Sequence, residues 1–87
     1  MTDVITVAVS GAKGRMGSES VLAILGASDL QLVAEIEHDD AIAERLRQTK
    51  PIAMVDFSVP ESVMGNIEAA LTNGVVPIVG TTGLGPA

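Results

Sequence analysis

Four short apolar runs punctuate this chain, at residues 4–9 (VITVAV), 32–36 (LVAEI), 52–57 (IAMVDF) and 75–79 (VVPIV). Each predicts a strand, and the first, a β-branched run that stops at Ser10-Gly11, reads as a strand buried on both faces. Between them the period lengthens. After the first run, Met16, Val21, Leu22, Ile24 and Leu25 recur at three- and four-residue spacings, which predicts a helix with one broad apolar face ending near Gly26 and Ser28-Asp29. Residues 39–49 (DDAIAERLRQT) predict a short second helix, with Asp39 or Asp40 as cap and Ile42 and Leu46 inward, broken at Lys50-Pro51. A third helix should start at Ser58 or Val59, carry Pro60 and Glu61 in its first turn, bury Val63, Met64, Ile67 and Leu71, and stop at Asn73-Gly74.

Strands alternating with helices, with no hairpin dipeptide between them, imply a parallel sheet with right-handed crossovers. The expected fold is therefore α/β, a Rossmann-like sheet of four strands. At 87 residues the chain holds one small domain over 1–87. The architecture reads as cut off after the fourth strand, because such sheets normally continue, so an apolar surface is expected where further structure would dock.

Composition narrows the function. Apolar residues make up 47% of the chain and charged residues 18%, which suits a globular domain. Five Lys and Arg stand against eleven Asp and Glu, a net charge of −6 that argues against a nucleic-acid partner. No apolar run approaches the ~20 residues of a membrane span, and the start lacks signal-peptide features. A cytoplasmic protein without a membrane partner is expected. With no Cys there is no thiol chemistry, and the lone His38 makes a metal role remote. Phe57 is the only aromatic residue, so no Tyr phenol can take part in catalysis within this chain.

The strongest chemical signal is Gly11-Ala12-Lys13-Gly14-Arg15-Met16-Gly17, directly after the first strand and before the first helix. A pyrophosphate needs backbone N–H donors at close range, which a Cβ would obstruct, and the following helix adds its positive end. The same G-x-x-G-x-x-G spacing would also serve a plain strand-to-helix turn. Lys13 and Arg15 could assist phosphates, including a 2′-phosphate, or stand solvated in the loop.

Glu37 ends the second strand twenty residues after Gly17, where dinucleotide folds place the carboxylate that holds the adenosine ribose. Glu35 is one pleat earlier and the poorer candidate. His38 is placed beside the adenosine end or in an exposed turn. Ser58, Phe57 and the loop Gly80, Thr81, Thr82 follow the third and fourth strands, so they face the same crevice as the glycine loop. Phe57 reads as core or as a cofactor contact, with core favoured. Asp56 and Glu61 read as structural, because no nucleophile stands near either.

Together, VAVSGAKGRMG, LVAEIE, VDFSVPESVMGNIEAALTNG and VPIVGTTG resemble the bacterial 4-hydroxy-tetrahydrodipicolinate (dihydrodipicolinate) reductases, in order and spacing from residue 4 to 83. The resemblance implies an NAD(P)H-dependent reductase of diaminopimelate and lysine biosynthesis that converts 4-hydroxy-tetrahydrodipicolinate to tetrahydrodipicolinate. It makes residues 11–17 the phosphate loop, Glu37 the ribose ligand, and Gly80, Thr81 and Thr82 the loop near the nicotinamide.

His38 stands where some members carry Arg, which tilts the cofactor from NADPH toward NADH. Leu84 replaces the usual Phe. The family's second domain, which takes the cyclic dicarboxylic substrate and forms a homotetramer, carries a signature like H-H-x-x-K-x-D-A-P-S-G-T-A that is absent from these residues. The chain alone is therefore expected to bind without catalysing. Two alternatives are a free-standing dinucleotide or coenzyme A sensor and a short-chain dehydrogenase relative. Glu37 would repel the coenzyme A 3′-phosphate, and the dehydrogenase's usual Tyr is missing.

Overall fold

The computed structural model describes residues 4–37 and 40–80. Within them strands and helices alternate: β1 (Ile5–Ser10), α1 (Arg15–Gly26), β2 (Leu30–Ile36), α2 (Ile42–Thr49), β3 (Ala53–Asp56), α3 (Pro60–Thr72) and β4 (Val76–Val79). The strands pair in parallel in the order β2-β1-β3-β4. This is the expected Rossmann-like sheet, with element ends displaced by one or two residues.

Parallel neighbours cannot be joined by a tight turn, so every connection carries a helix. From β1 the chain steps outward to β2, then returns across β1 to β3. Right-handed crossovers therefore put α1 on one face and α2 and α3 on the other. Two cores result. Val7, Val9, Ala12, Val21 and Ile24 pack beneath α1, and Ala8, Ile36, Leu46, Met54, Ala70 and Val75 pack beneath α2 and α3. The strand order reverses between β1 and β3, so a crevice is expected beyond their carboxyl ends.

β2 contributes to both cores through an irregularity of register. Val7 pairs with Leu32 but Ala8 pairs with Ala34, leaving Val33 as the extra residue of a bulge. Leu30 and Leu32 thus face α1, whereas Ala34 and Ile36 face α2 and α3.

The helical faces differ from the sequence expectation. On α1 only Gly17, Val21 and Ile24 are buried, while Met16, Leu22 and Leu25 lie on solvent-facing flanks. On α3 the inward stripe runs through Val63, Asn66, Ile67 and Ala70, with Met64 and Leu71 exposed. A helix lying on a sheet buries only a narrow arc, and these helices are apolar beyond it.

The caps differ as well. Ala41 and Val59 occupy the N-cap positions of α2 and α3 without a side-chain cap bond, so neither Asp40 nor Ser58 caps a helix. Asp39 lies outside the described residues. Lys50, in the left-handed region at φ 50°, closes α2 as the break at Lys50-Pro51 required.

On the α1 side, no described helix covers β3 and β4. Ile52, Val76 and Ile78 are about half exposed there, around an apolar basin of about 510 Å³. Among the described residues, no helix is long and apolar enough to cross a membrane.

The register makes a direct prediction. Leu46 is fully buried and Leu22 is 70% exposed. Urea unfolding should show Leu46→Ala losing about 3 kcal/mol. Leu22→Ala should stay within about 0.5 kcal/mol of the parent chain.

Candidate functional site

β1 ends at Ser10, and the chain turns at Gly11 in the left-handed region, φ 75°. The turn is fastened to the end of β2, because Gly11 N–H donates to the Ile36 carbonyl at 2.8 Å. A Cβ on Gly11 would lie 2.8 Å from the carbonyl carbon and oxygen of Phe57 and 3.0 Å from the Ser58 nitrogen. The glycine loop therefore rests directly on the backbone that follows β3. Gly17 meets the loop from the other side, and a Cβ there would fall 1.9 Å from the Gly11 oxygen. These two positions require glycine, and together they bring the opening of α1 close against the end of β1.

Gly14 is the N-cap of α1 and supplies no side-chain bond, and the first turn holds no acid. The opening N–H groups of the helix, those of Arg15, Met16 and Gly17, lack i−4 partners by helical geometry. With the helix dipole behind them, they present a positive end that suits an anion.

Glu37 completes this rim from β2. Its Oε2 accepts the Lys13 backbone N–H at 2.7 Å, and its own N–H donates to Asp40 Oδ2 at 2.8 Å. Asp40 thus fixes the turn at Glu37, and its Oδ2 also lies 3.8 Å from Arg45 Nη1 on α2.

The rim encloses a crevice of about 400 Å³ lined by Gly11, Gly14, Glu37, Phe57, Ser58, Val59 and Ser62. Five of these are sequence candidates. Val59 and Ser62 were missed, although both flank the start of α3 at the sheet end that the glycine loop occupies.

The remaining candidates do not line the crevice. Ala12 and Gly17 are buried beneath the loop, and the Lys13, Arg15 and Met16 side chains are exposed around it. Gly80 abuts the Phe57 ring, where a Cβ would lie 2.3 Å from Cε1, and its N–H donates to the Asp56 carbonyl at 2.8 Å. His38, Thr81, Thr82 and Leu84 lie outside the described residues. Phe57 packs against the α1-side core and also lines the crevice.

Beneath the crevice floor lies a polar cluster. Asp56 is fully buried, and its Oδ1 accepts the Ser58 N–H at 2.8 Å. Asn66 Nδ2 approaches Asp56 Oδ2 at 3.2 Å, Ser58 Oγ at 2.9 Å and Ser10 Oγ at 3.4 Å. Asp56 is structural, as expected. Asn66 is its partner from α3, which sequence reasoning missed.

Comparison with known proteins gives one concordant answer. Residues 5–87 match the family model described as "Dihydrodipicolinate reductase, N-terminus". A 4-hydroxy-tetrahydrodipicolinate reductase of Corynebacterium efficiens is 47% identical over 79 residues, covering 91% of this chain and 32% of that protein. The enzyme of the same name from Mycobacterium marinum is 44% identical over 77 residues, covering 88% and 31%.

A solved structure, a dipicolinate-bound dihydrodipicolinate reductase from Paenisporosarcina sp. TG-14, superposes with a TM-score of 0.83 at 27% identity. The match covers 92% of this chain and 38% of that one. The chain thus spans about a third of the length of the curated relatives it matches.

Proposed function

The chain belongs to the dihydrodipicolinate reductase family, within its N-terminal part, and we propose that it is the part of such a reductase that binds NADH or NADPH. This reading rests on one juxtaposition. The uncapped opening of α1, the close-packed loop from Gly11 to Gly17, and the carboxylate of Glu37 share the rim of one crevice.

Those residues fit a dinucleotide. Glycine at 11 and 17 lets the loop pack against the strand ends, which brings the N–H groups at the opening of α1 to the crevice rim, where they would meet a pyrophosphate. Glu37 holds the Lys13 N–H through one oxygen, and a carboxylate has lone pairs to spare for a ribose diol. Ser58, Ser62 and Phe57 wall the opposite side. In this reading Gly80, Thr81 and Thr82 would serve the nicotinamide end, and His38 the adenosine end.

When bound, the nicotinamide supplies the hydride. The chain's residues supply position and charge: an anion site at α1, a ribose anchor at Glu37, and a facing wall at Phe57 and Ser58. The hydride acceptor would be a small cyclic dicarboxylate, 4-hydroxy-tetrahydrodipicolinate, reduced to tetrahydrodipicolinate on the route to diaminopimelate and lysine. The remaining two thirds of the relatives' length would hold that substrate and form the tetramer. Dipicolinate, the molecule bound in the Paenisporosarcina structure, is itself a cyclic dicarboxylate. By itself this chain binds and orients without reducing.

The cofactor preference follows from charge. A 2′-phosphate would meet the carboxylate of Glu37, and the next residues in sequence, His38, Asp39 and Asp40, bring no permanent cation. Calorimetric titration at fixed salt should find NADH bound at least as tightly as NADPH. A tenfold advantage for NADPH, about 1.4 kcal/mol, would overturn the preference, and no binding of either would overturn the function.

A further inference from the structure

We infer that Asn66 is a positioning residue for the dinucleotide crevice, acting through the backbone at Phe57 and Ser58 on the glycine loop. This deepens the dinucleotide-binding reading and rests on it.

The geometry runs in one unbroken line. Asn66 lies on the inward stripe of α3, and its amide nitrogen points at three oxygens from three segments: Ser10 on β1, Asp56 on β3, and Ser58 in the turn between β3 and α3. A carboxylate can only accept, so the amide must present its nitrogen to Asp56. Asp56 in turn accepts the Ser58 N–H at 2.8 Å, which sets the direction of the chain as it leaves β3. That same backbone is the surface against which Gly11 sits, with room for a hydrogen but not for a methyl group.

Two strand ends and one helix are thus locked together directly under the phosphate loop. Asp56 and Ser10 are buried, while Asn66 and Ser58 are half-buried, so a bond to Asp56 left unmade is costly. A donor at position 66 therefore fixes the backbone beside the crevice of about 400 Å³, and it lines not that crevice but a smaller adjoining cavity of about 90 Å³ with Ser10, Glu37, Ser58 and Ser62.

Three variants of the 87-residue chain test this, each compared with the parent by amide-resolved NMR without ligand and by calorimetric titration with NADH, at a temperature where all are folded by circular dichroism. Asn66→Ala should move the amide resonances of Ser58, Gly11 and Gly14 and weaken NADH binding about tenfold, the scale of one charge-assisted hydrogen bond. Asn66→Asp keeps the shape but turns an acceptor toward Asp56, and should lose at least as much. Val75→Ala removes buried volume at the opposite end of the sheet, where Val75 is 2% exposed. It should lower the unfolding midpoint yet leave those amides and the affinity within about twofold, the small change expected of a distant site.

Unmoved Gly11 and Gly14 amides in Asn66→Ala, or Asn66→Asp binding like the parent, would overturn the positioning role while the parent still binds NADH. Failure of the parent chain to bind either dinucleotide would overturn the functional reading, and the inference with it.

Discussion

Gly17→Ala is expected to abolish measurable dinucleotide binding and to destabilise the chain by roughly 1–3 kcal/mol, the usual cost of forcing a methyl group into a closed space. The added Cβ would fall 1.9 Å from the Gly11 carbonyl oxygen and 2.8 Å from its carbon, both backbone atoms with no rotamer to escape into. Relief requires α1 to lift off the loop, and that separates the opening N–H groups of the helix from the rest of the rim. Stability and binding should therefore fall together. Gly26→Ala is the control at the other end of the same helix, where a Cβ meets nothing within 4 Å. Alanine is the better helix former by up to about 1 kcal/mol. Urea unfolding should accordingly show Gly26→Ala neutral or stabilised, with NADH affinity unchanged.

Glu37→Ala should weaken NADH binding by about 10- to 100-fold, because a charged acceptor is lost from the ribose contact and from the loop together. The carboxylate already holds the Lys13 N–H at 2.7 Å, so its removal also frees the middle of the glycine loop. Glu37→Gln, which keeps the shape and one acceptor oxygen, should fall between alanine and the parent. NADPH should suffer less than NADH from Glu37→Ala, since the same change removes a repulsion with the 2′-phosphate. Glu35→Ala, at an exposed position two residues earlier on β2, should change nothing beyond about twofold. Isothermal titration of the four chains with both cofactors decides the matter, and unchanged affinity in Glu37→Ala would refute the ribose assignment.

Much of this was legible in the sequence because strands of a parallel sheet are short apolar runs set between helical patterns, and the runs beginning at Val4, Leu32, Ile52 and Val75 mark the four strands, although β4 is covered on one face only. The glycine loop was legible for a related reason, as Gly11 and Gly17 occupy positions where any side chain would collide with backbone.

The helical faces were harder. α1 and α3 carry apolar residues well beyond the arc they bury, so the spacing of Leu22, Leu25, Met64 and Leu71 could not say which side meets the sheet. The bulge at Val33 was hidden because Leu30, Leu32, Ala34 and Ile36 read as a single alternating face, yet they divide between two cores. Asn66 carried one signal that went unused. It is a polar residue on the stripe of Val63, Ile67 and Ala70, and its buried partner Asp56 is ten residues earlier, across a turn whose geometry no spacing rule supplies.

The central claim is that one crevice, formed by the glycine loop, Glu37 and the start of α3, binds a nicotinamide dinucleotide. An amide-resolved NMR titration of the chain with NADH tests it most directly. The account predicts a dispersed spectrum in which shifts concentrate at Gly11, Gly14, Arg15, Met16, Gly17, Glu37 and Ser58, with β4's amino-terminal end around Val75 unmoved. A dispersed spectrum that ignores both NADH and NADPH, or shifts centred on the apolar basin of Ile52, Val76 and Ile78, would contradict it.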